Sequence, residues 1–172
     1  MNKIELNDLK LKAFTEQDAL DYCQLNNINP DNIIYLDLTN NKLTDISGIK
    51  LFKNTEYLNL HYNELTDIFD LKDLTQLESL NLKNNKITDI SVIKNFNNLK
   101  YLYLTDTEIK DISGLKYLKD LKTLDIKGLE LKSDQIQYIK NLNNLQYLYA
   151  GNGLNNKNIL DKLNKNIKIS YK

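Results

Sequence analysis

An α/β solenoid, right-handed and curved, is the fold this sequence implies, with a parallel β-sheet on its concave face, short helical turns on its convex face and a helical cap at its N-terminus. Three observations carry that reading. One pattern of residues returns at a fixed spacing. Within each return the apolar residues alternate first with period 2 and then at wider steps. Both ends of the array break the pattern, as the caps of an open stack of coils must.

The repeating unit reads LDLTNNKLTDIS, LNLHYNELTDIF, LNLKNNKITDIS, LYLTDTEIKDIS and, in decayed form, LDIKGLELKSDQ. The units open at Leu36, Leu58, Leu80, Leu102 and Leu124, 22 residues apart each time, and a sixth opens at Leu148 after 24. The L-x-L start is a short strand whose leucines share one face, because side chains alternate across a strand. The asparagine that follows, Asn41, Asn63 or Asn85, offers donors and acceptors together. It is placed to satisfy backbone groups where the chain leaves the strand, and stacked units turn these residues into a ladder. Leu43, Leu65, Ile87, Ile109 and Leu131 then return to the core, followed by Ile46, Ile68, Ile90 and Ile112. Before each of these isoleucines stands an aspartate: Asp45, Asp67, Asp89 or Asp111. Short oxygen-bearing side chains here bond nearby backbone N–H groups and start a tight outer turn. A repeated carboxylate also invites a calcium reading, but one aspartate per coil, about 4.8 Å from the next, lacks the dense oxygen loop that Ca²⁺ takes.

The ends divide the chain into residues 1–32 as N-terminal cap, 33–154 as about six repeats and 155–172 as C-terminal cap. In the first, Thr15 and Asp18 bracket the start of a helix of about ten residues with Ala19, Leu20, Tyr22 and Cys23 as its apolar set, closed by NNINPDN. In the last, NNKNILDKLNKN reads as a helix burying Ile159, Leu160 and Leu163, and Ile167 and Ile169 alternate as a final edge strand. These caps would close the array at its C-terminal end. In the longer fifth unit, Ser133 is expected to cap a helical turn with Ile136 and Ile139 facing inward, an adaptation to the C-terminal cap.

Composition narrows the function. Lys and Arg together number 23, as do Asp and Glu, so the net charge is zero and no long-range field gathers nucleic acid or anionic lipid. Every cation is a lysine. The single cysteine, Cys23, excludes an intramolecular disulfide and reads as a small buried hydrophobe. No stretch approaches the roughly 18 apolar residues of a spanning helix, and the opening MNKIELNDLKLK has no apolar signal region. The expected location is therefore the cytoplasm, or outside the cell if a signal has been removed. There is no Gly-rich phosphate loop, nucleophile motif, metal triad or paired carboxylates, so no catalytic residue, cofactor or metal is assigned and the chain is not expected to be an enzyme.

The residues between and beside the inward leucines must face out of the concave sheet. The candidate surface is Tyr35 and Asp37; Tyr57, Asn59, His61 and Tyr62; Asn81 and Lys83; Tyr101 and Tyr103; Asp125 and Lys127; Tyr147 and Tyr149. Of the chain's 11 tyrosines, seven fall in this set. Tyrosine supplies large contact area at low entropic cost and is enriched in binding surfaces. It also favours strands, where a column of rings steadies the sheet. His61, the single histidine, has no partner base or nucleophile legible in sequence and reads as a contact residue.

The pattern LxLxxNxITDIsxLxxLxxL resembles the 22-residue leucine-rich repeats of bacterial internalin-like proteins and of protein-phosphatase regulatory subunits, over about Ile33 to Leu163. The resemblance implies the fold strongly and function weakly, since members share mainly the habit of binding proteins on the concave face. The chain departs from it at Thr107, Leu129 and Gly153, which replace the asparagine, and at Gly48 and Gly114, where internalins often place proline. The expected function is a monomeric module that binds another protein on the concave face. The alternatives are a lectin-like glycan or adhesion module and an intracellular regulatory subunit of an enzyme.

Overall fold

A computed structural model of the chain describes residues 2–151, 163 and 166–171. The strands stack in the order of the chain into one eight-stranded sheet, parallel throughout. They are β1 (Lys3–Glu5), β2 (Tyr35–Asp37), β3 (Tyr57–Asn59), β4 (Ser79–Asn81), β5 (Tyr101–Tyr103), β6 (Thr123–Asp125), β7 (Tyr147–Tyr149) and β8 (Lys168–Ser170). Helix α1 (Glu16–Leu25) lies between β1 and β2, and α2 (Ile136–Lys140) between β6 and β7. The register follows from the repeat: Leu36, Leu58, Leu80, Leu102, Leu124 and Leu148 pair in turn without a slip. A slip of one residue would turn these leucines out to water, so burial of one face holds the register.

Each coil leaves its strand, returns on the far side and comes back as a 3₁₀ turn: Ser47–Leu51, Phe69–Asp73, Ser91–Asn95 and Ser113–Tyr117. The repeated aspartates start these turns as the sequence suggests. Asp45, Asp89 and Asp111 each accept a bond at Oδ1 from the backbone N–H two residues on, at 2.8, 2.6 and 2.8 Å, and Asp67 does the same for Phe69. Ile46, Ile49, Ile68, Leu71, Ile90, Ile93, Ile112 and Leu115 then point inward and are buried. Phe52 and Phe96 are fully buried, and Phe14 stacks on Phe52 with ring centroids 6.1 Å apart. Fully burying one such side chain contributes about 1.5–3 kcal/mol, so the stability of the array is spread along its whole length.

The N-terminal segment holds more than a helix. The reading of residues 1–32 has no strand before Ile33, yet β1 pairs with β2, with Ile4 opposite Leu36, and Leu6 N–H donates to Asp37 C=O at 2.8 Å. Its signal is short and out of period, since Ile4 precedes Leu36 by 32 residues. Helix α1 opens with a reciprocal capping box between Thr15 and Asp18 and buries Ala19 and Cys23. The backbone ahead of it passes so close to the first outer turn that a Cβ at position 48 would lie 2.4 Å from the Thr15 carbonyl oxygen, and Gly48 N–H donates to Phe14 C=O at 2.8 Å. Glycine at 48 is therefore a docking requirement of the N-terminal segment.

In the longer fifth unit the expected cap is corrected. Ser133 is exposed and begins a 3₁₀ turn (Ser133–Gln135) that has no side-chain cap bond and runs on into α2. The turn is tied instead by Gln135, whose Oε1 accepts from Ile112 N–H of the preceding coil at 3.0 Å. Ile136 and Ile139 face inward as expected. At the C-terminal end β8 pairs with β7 and Leu163 is buried. Ile159 and Leu160 lie outside the described residues.

The asparagines form a ladder between coils. Asn63 Nδ2 donates to Leu38 C=O at 2.9 Å and to Leu60 C=O at 3.0 Å, while its Oδ1 accepts from Leu43 N–H at 3.0 Å. Asn85 repeats this with Leu60 C=O (2.9 Å), Leu82 C=O (3.0 Å) and Leu65 N–H (3.1 Å). Asn41 donates to Leu6 and Leu38 C=O and accepts from Leu9 and Leu11 N–H. One amide thus joins two coils where the backbone has no strand partner. Thr107, in the same place, donates to Leu104 C=O at 2.8 Å within its own coil.

The residue just before the ladder position adopts a left-handed backbone in five successive coils: Asn40 (φ 53°), Tyr62 (54°), Asn84 (53°), Asp106 (54°) and Gly128 (75°). Asn, Asp and Gly suit this conformation, whereas a bulky ring carries a steric penalty there.

Asn85→Ala removes a buried amide that serves both coils and is expected to cost about 3 kcal/mol, whereas Thr107→Asn, which restores the cross-coil bonds, is expected to gain about 1 kcal/mol; urea unfolding midpoints measure both. Tyr62→Asn relieves the left-handed strain and should raise stability by about 0.5–1 kcal/mol, read as an increase in Tm. A fall in Tm would mean that the ring's own contacts outweigh the strain.

Candidate functional site

The register turns the outward residues into columns that run across the strands. One column carries Lys3, Tyr35, Tyr57, Ser79, Tyr101, Thr123, Tyr147 and Lys168, and the next carries Glu5, Asp37, Asn59, Asn81, Tyr103, Asp125, Tyr149 and Ser170. Beside them lie His61, Lys83 and Lys127, each two residues past the strand's last outward position. Lys3, Glu5 and Lys168 belong to this surface although the sequence reading left them out. Their strands lie outside the 22-residue period, and only pairing with β2 and β7 brings them into the columns.

At the C-terminal half, sequence-distant candidates converge. Strand β6 presents Thr123 and Asp125, two short side chains, between four tyrosines: Tyr101 and Tyr103 on β5, and Tyr147 and Tyr149 on β7. Strands two apart are separated by about 9.6 Å, so short residues on the middle strand leave a slot between the flanking rings. The result is a pocket of about 420 Å³ lined by these six residues with Lys83 and Lys127. Its floor corrects the sequence reading. Asp125, expected as an outward contact, is 2% exposed, and Thr123 is buried beside it. The Asp125 carboxylate is taken up inside the protein, by Lys83 Nζ at 2.7 Å and by Lys127 N–H at 3.3 Å.

The lysines also brace the rings. Lys83 Nζ lies 4.9 Å from the centre of the Tyr103 ring, Lys127 Nζ 5.2 Å from Tyr149 and Lys168 Nζ 5.3 Å from Tyr147, all within cation–π range. Burial, then the neighbouring Tyr149 and Tyr101 and the Asp125 carboxylate, push the Tyr103 phenol above its usual value, so it stays protonated and can donate a hydrogen bond at neutral pH.

The N-terminal half is arranged differently. Asp37 accepts from the Tyr35 hydroxyl at 3.3 Å, from Asn59 Nδ2 at 3.4 Å and from Thr39 N–H at 2.9 Å. Burial first, then the Asp37 charge, raises the Tyr35 phenol's pKa. Tyr57 is exposed and its hydroxyl donates to Glu78 at 3.4 Å. His61 stacks on Tyr62, centroids 4.0 Å apart and planes 21° apart, and Asn84 Nδ2 lies 3.1 Å from its Nε2. Burial and then the Lys83 charge lower its pKa, which favours the neutral ring. Among the described residues no three of His, Cys, Asp and Glu gather as a metal site, and no helix is long and apolar enough to cross a membrane.

Comparison with known proteins agrees with this geometry. Residues 56–95 match a family model described as Leucine Rich repeats (2 copies), and residues 32–52 match a Leucine Rich repeat model. A search of curated proteins found no match. Among solved structures, an internalin of Listeria monocytogenes is 28% identical with a TM-score of 0.75, covering 81% of this chain and 41% of its own. A leucine-rich-repeat protein of Leptospira interrogans is 26% identical with a TM-score of 0.76, covering 99% of this chain and 42% of its own. The chain thus spans about two-fifths of the length of each of these two. Internalin C2 of Listeria monocytogenes, 21% identical with a TM-score of 0.70 over 99% of this chain and 80% of its own, shares the fold. Folds of this kind are typical of protein–protein interaction modules. With residues 32–52 and 56–95 matched by repeat models and its asparagine ladder intact over three coils, the chain has the fold of a leucine-rich-repeat solenoid and is similar to the internalins.

Proposed function

We propose that the chain is a non-catalytic module that binds a partner protein on the concave face, anchored at the tyrosine-walled pocket over β5, β6 and β7. One observation carries the reading: four tyrosines from two strands surround two short residues of the strand between them, and the pocket so formed lies on a pre-built sheet. Tyrosines that are rigid before binding lose little side-chain entropy on contact, and such aromatic anchors supply most of the energy in protein interfaces. Tyr35, Asp37, Tyr57, Asn59, His61, Tyr62 and Asn81 extend the same surface toward the N-terminus and would set orientation along it.

The test is a partner captured by the intact protein and then measured against a Tyr101→Ala, Tyr103→Ala double variant shown by circular dichroism to keep the native spectrum. Each anchor is expected to contribute about 1–2 kcal/mol, so the double change should weaken binding at least about 30-fold. Binding that survives the double change unaltered would remove the concave face as the binding surface.

A further inference from the structure

We infer that the tyrosine-walled pocket is an acid-accepting subsite that takes a glutamate or aspartate side chain of an acidic peptide segment. The inference rests on the concave-face reading above and adds the chemistry of the partner.

Charge decides between possible occupants. The pocket contains two ammonium groups, Lys83 and Lys127, and one carboxylate, Asp125. Lys83 and Asp125 neutralise each other at 2.7 Å beneath the surface, since Asp125 is 2% exposed. Lys127 forms no ion pair among the described residues, and Lys168 stands at the outer side of Tyr147 with its charge likewise unmatched there. The pocket therefore carries an excess of positive charge in a protein whose overall formal charge is zero. An incoming cation would meet Lys83 already on Asp125 and over Tyr103. An incoming carboxylate would meet an unmatched ammonium and the Tyr103 hydroxyl, which can donate to it.

Shape agrees with charge. The slot above Thr123 and Asp125 is one strand wide and is walled by Tyr101 and Tyr103 on one side and by Tyr147 and Tyr149 on the other. It admits the aliphatic stem of one side chain between rings, with its carboxylate directed to the Lys127 ammonium. Such an arrangement sheds water from the stem and keeps one charge-assisted contact, the kind that confers specificity.

The experiment titrates fluorescein-labelled, end-blocked hexaglutamate into the intact protein and follows anisotropy, with hexaglutamine, hexalysine and 3′-sialyllactose as comparison probes. Saturable hexaglutamate binding that Lys127→Gln weakens about fivefold or more and Lys127→Arg retains supports the subsite. So does hexaglutamate binding that Asp125→Asn, which frees the Lys83 charge, tightens more than Asp134→Asn, which adds the same net charge at an exposed site on the outer turn. Lys127 is a surface residue, so its variants keep the test valid if Asp125→Asn fails to fold. Equal binding of hexaglutamine, unchanged binding by Lys127→Gln, preference for hexalysine, or binding of sialyllactose in place of the peptide would each overturn the inference. Absence of hexaglutamate binding, together with partner capture that still depends on Tyr101 and Tyr103, removes the acid subsite and leaves the concave-face reading in place. Capture that does not depend on those tyrosines removes both.

Discussion

A single 22-residue coil has no interior of its own, and everything else in this molecule depends on that constraint. Its strand leucines, its isoleucines and its outer apolar residue all point to one side of a loop only a few ångströms thick. Burial requires a neighbour above and below, and the neighbours can stack in one way only, with strands parallel and leucine opposite leucine. The sheet, the outer 3₁₀ turns and the columns on the concave face are all consequences of that stacking.

Stacking by apolar contact alone would leave the coils free to shear, and the polar devices prevent it. The ladder amides of Asn41, Asn63 and Asn85 each bond the coil behind as well as their own. The aspartates confine each outer turn by an N–H bond at its first residue. Toward the C-terminus these devices change hands. Thr107 bonds only within its coil by its hydroxyl, Leu129 contributes no polar group, and Gln135 crosses from the inserted turn to the preceding coil instead. The fifth unit is longer, and its α2 turn provides Ile136 and Ile139 for the inner face in place of the usual pair.

The candidate site arises from contrast in side-chain size along the columns. Where tyrosine follows tyrosine, as Tyr35 and Tyr57 do in register, ring follows ring along the column. Where β6 places Thr123 and Asp125 between tyrosine pairs, the face opens into a pocket, and a carboxylate becomes buried on what is otherwise an outward row. The buried charge is tolerable because Lys83 reaches across two strands to meet it, and that reach leaves Lys127 as the ammonium at the rim. Tyr62 follows a different logic at the N-terminal half: it holds a left-handed backbone that its neighbours reserve for Asn, Asp and Gly, and it stacks on His61.

Periodicity made the repeats, the inward leucines, the asparagine ladder and the aspartate-started turns readable before any coordinates, because each is a local rule repeated at constant spacing. The outward rows were readable for the same reason: alternation along a strand needs no partner. What lay beyond the sequence was whatever depends on a neighbour in space. Strand β1 stands 32 residues ahead of its partner and shows only one Ile-x-Leu alternation, so pairing with β2 alone makes it a strand. Gly48 could be seen as a departure from pattern, but its cause is the carbonyl of Thr15 lying where a Cβ would be. Asp125 alternates outward like any other row member, and its burial comes from four rings and a lysine on three other strands or coils. Side-chain direction is a property of the strand, whereas exposure is a property of the stack, and that difference separates what could be read from the chain from what required its fold.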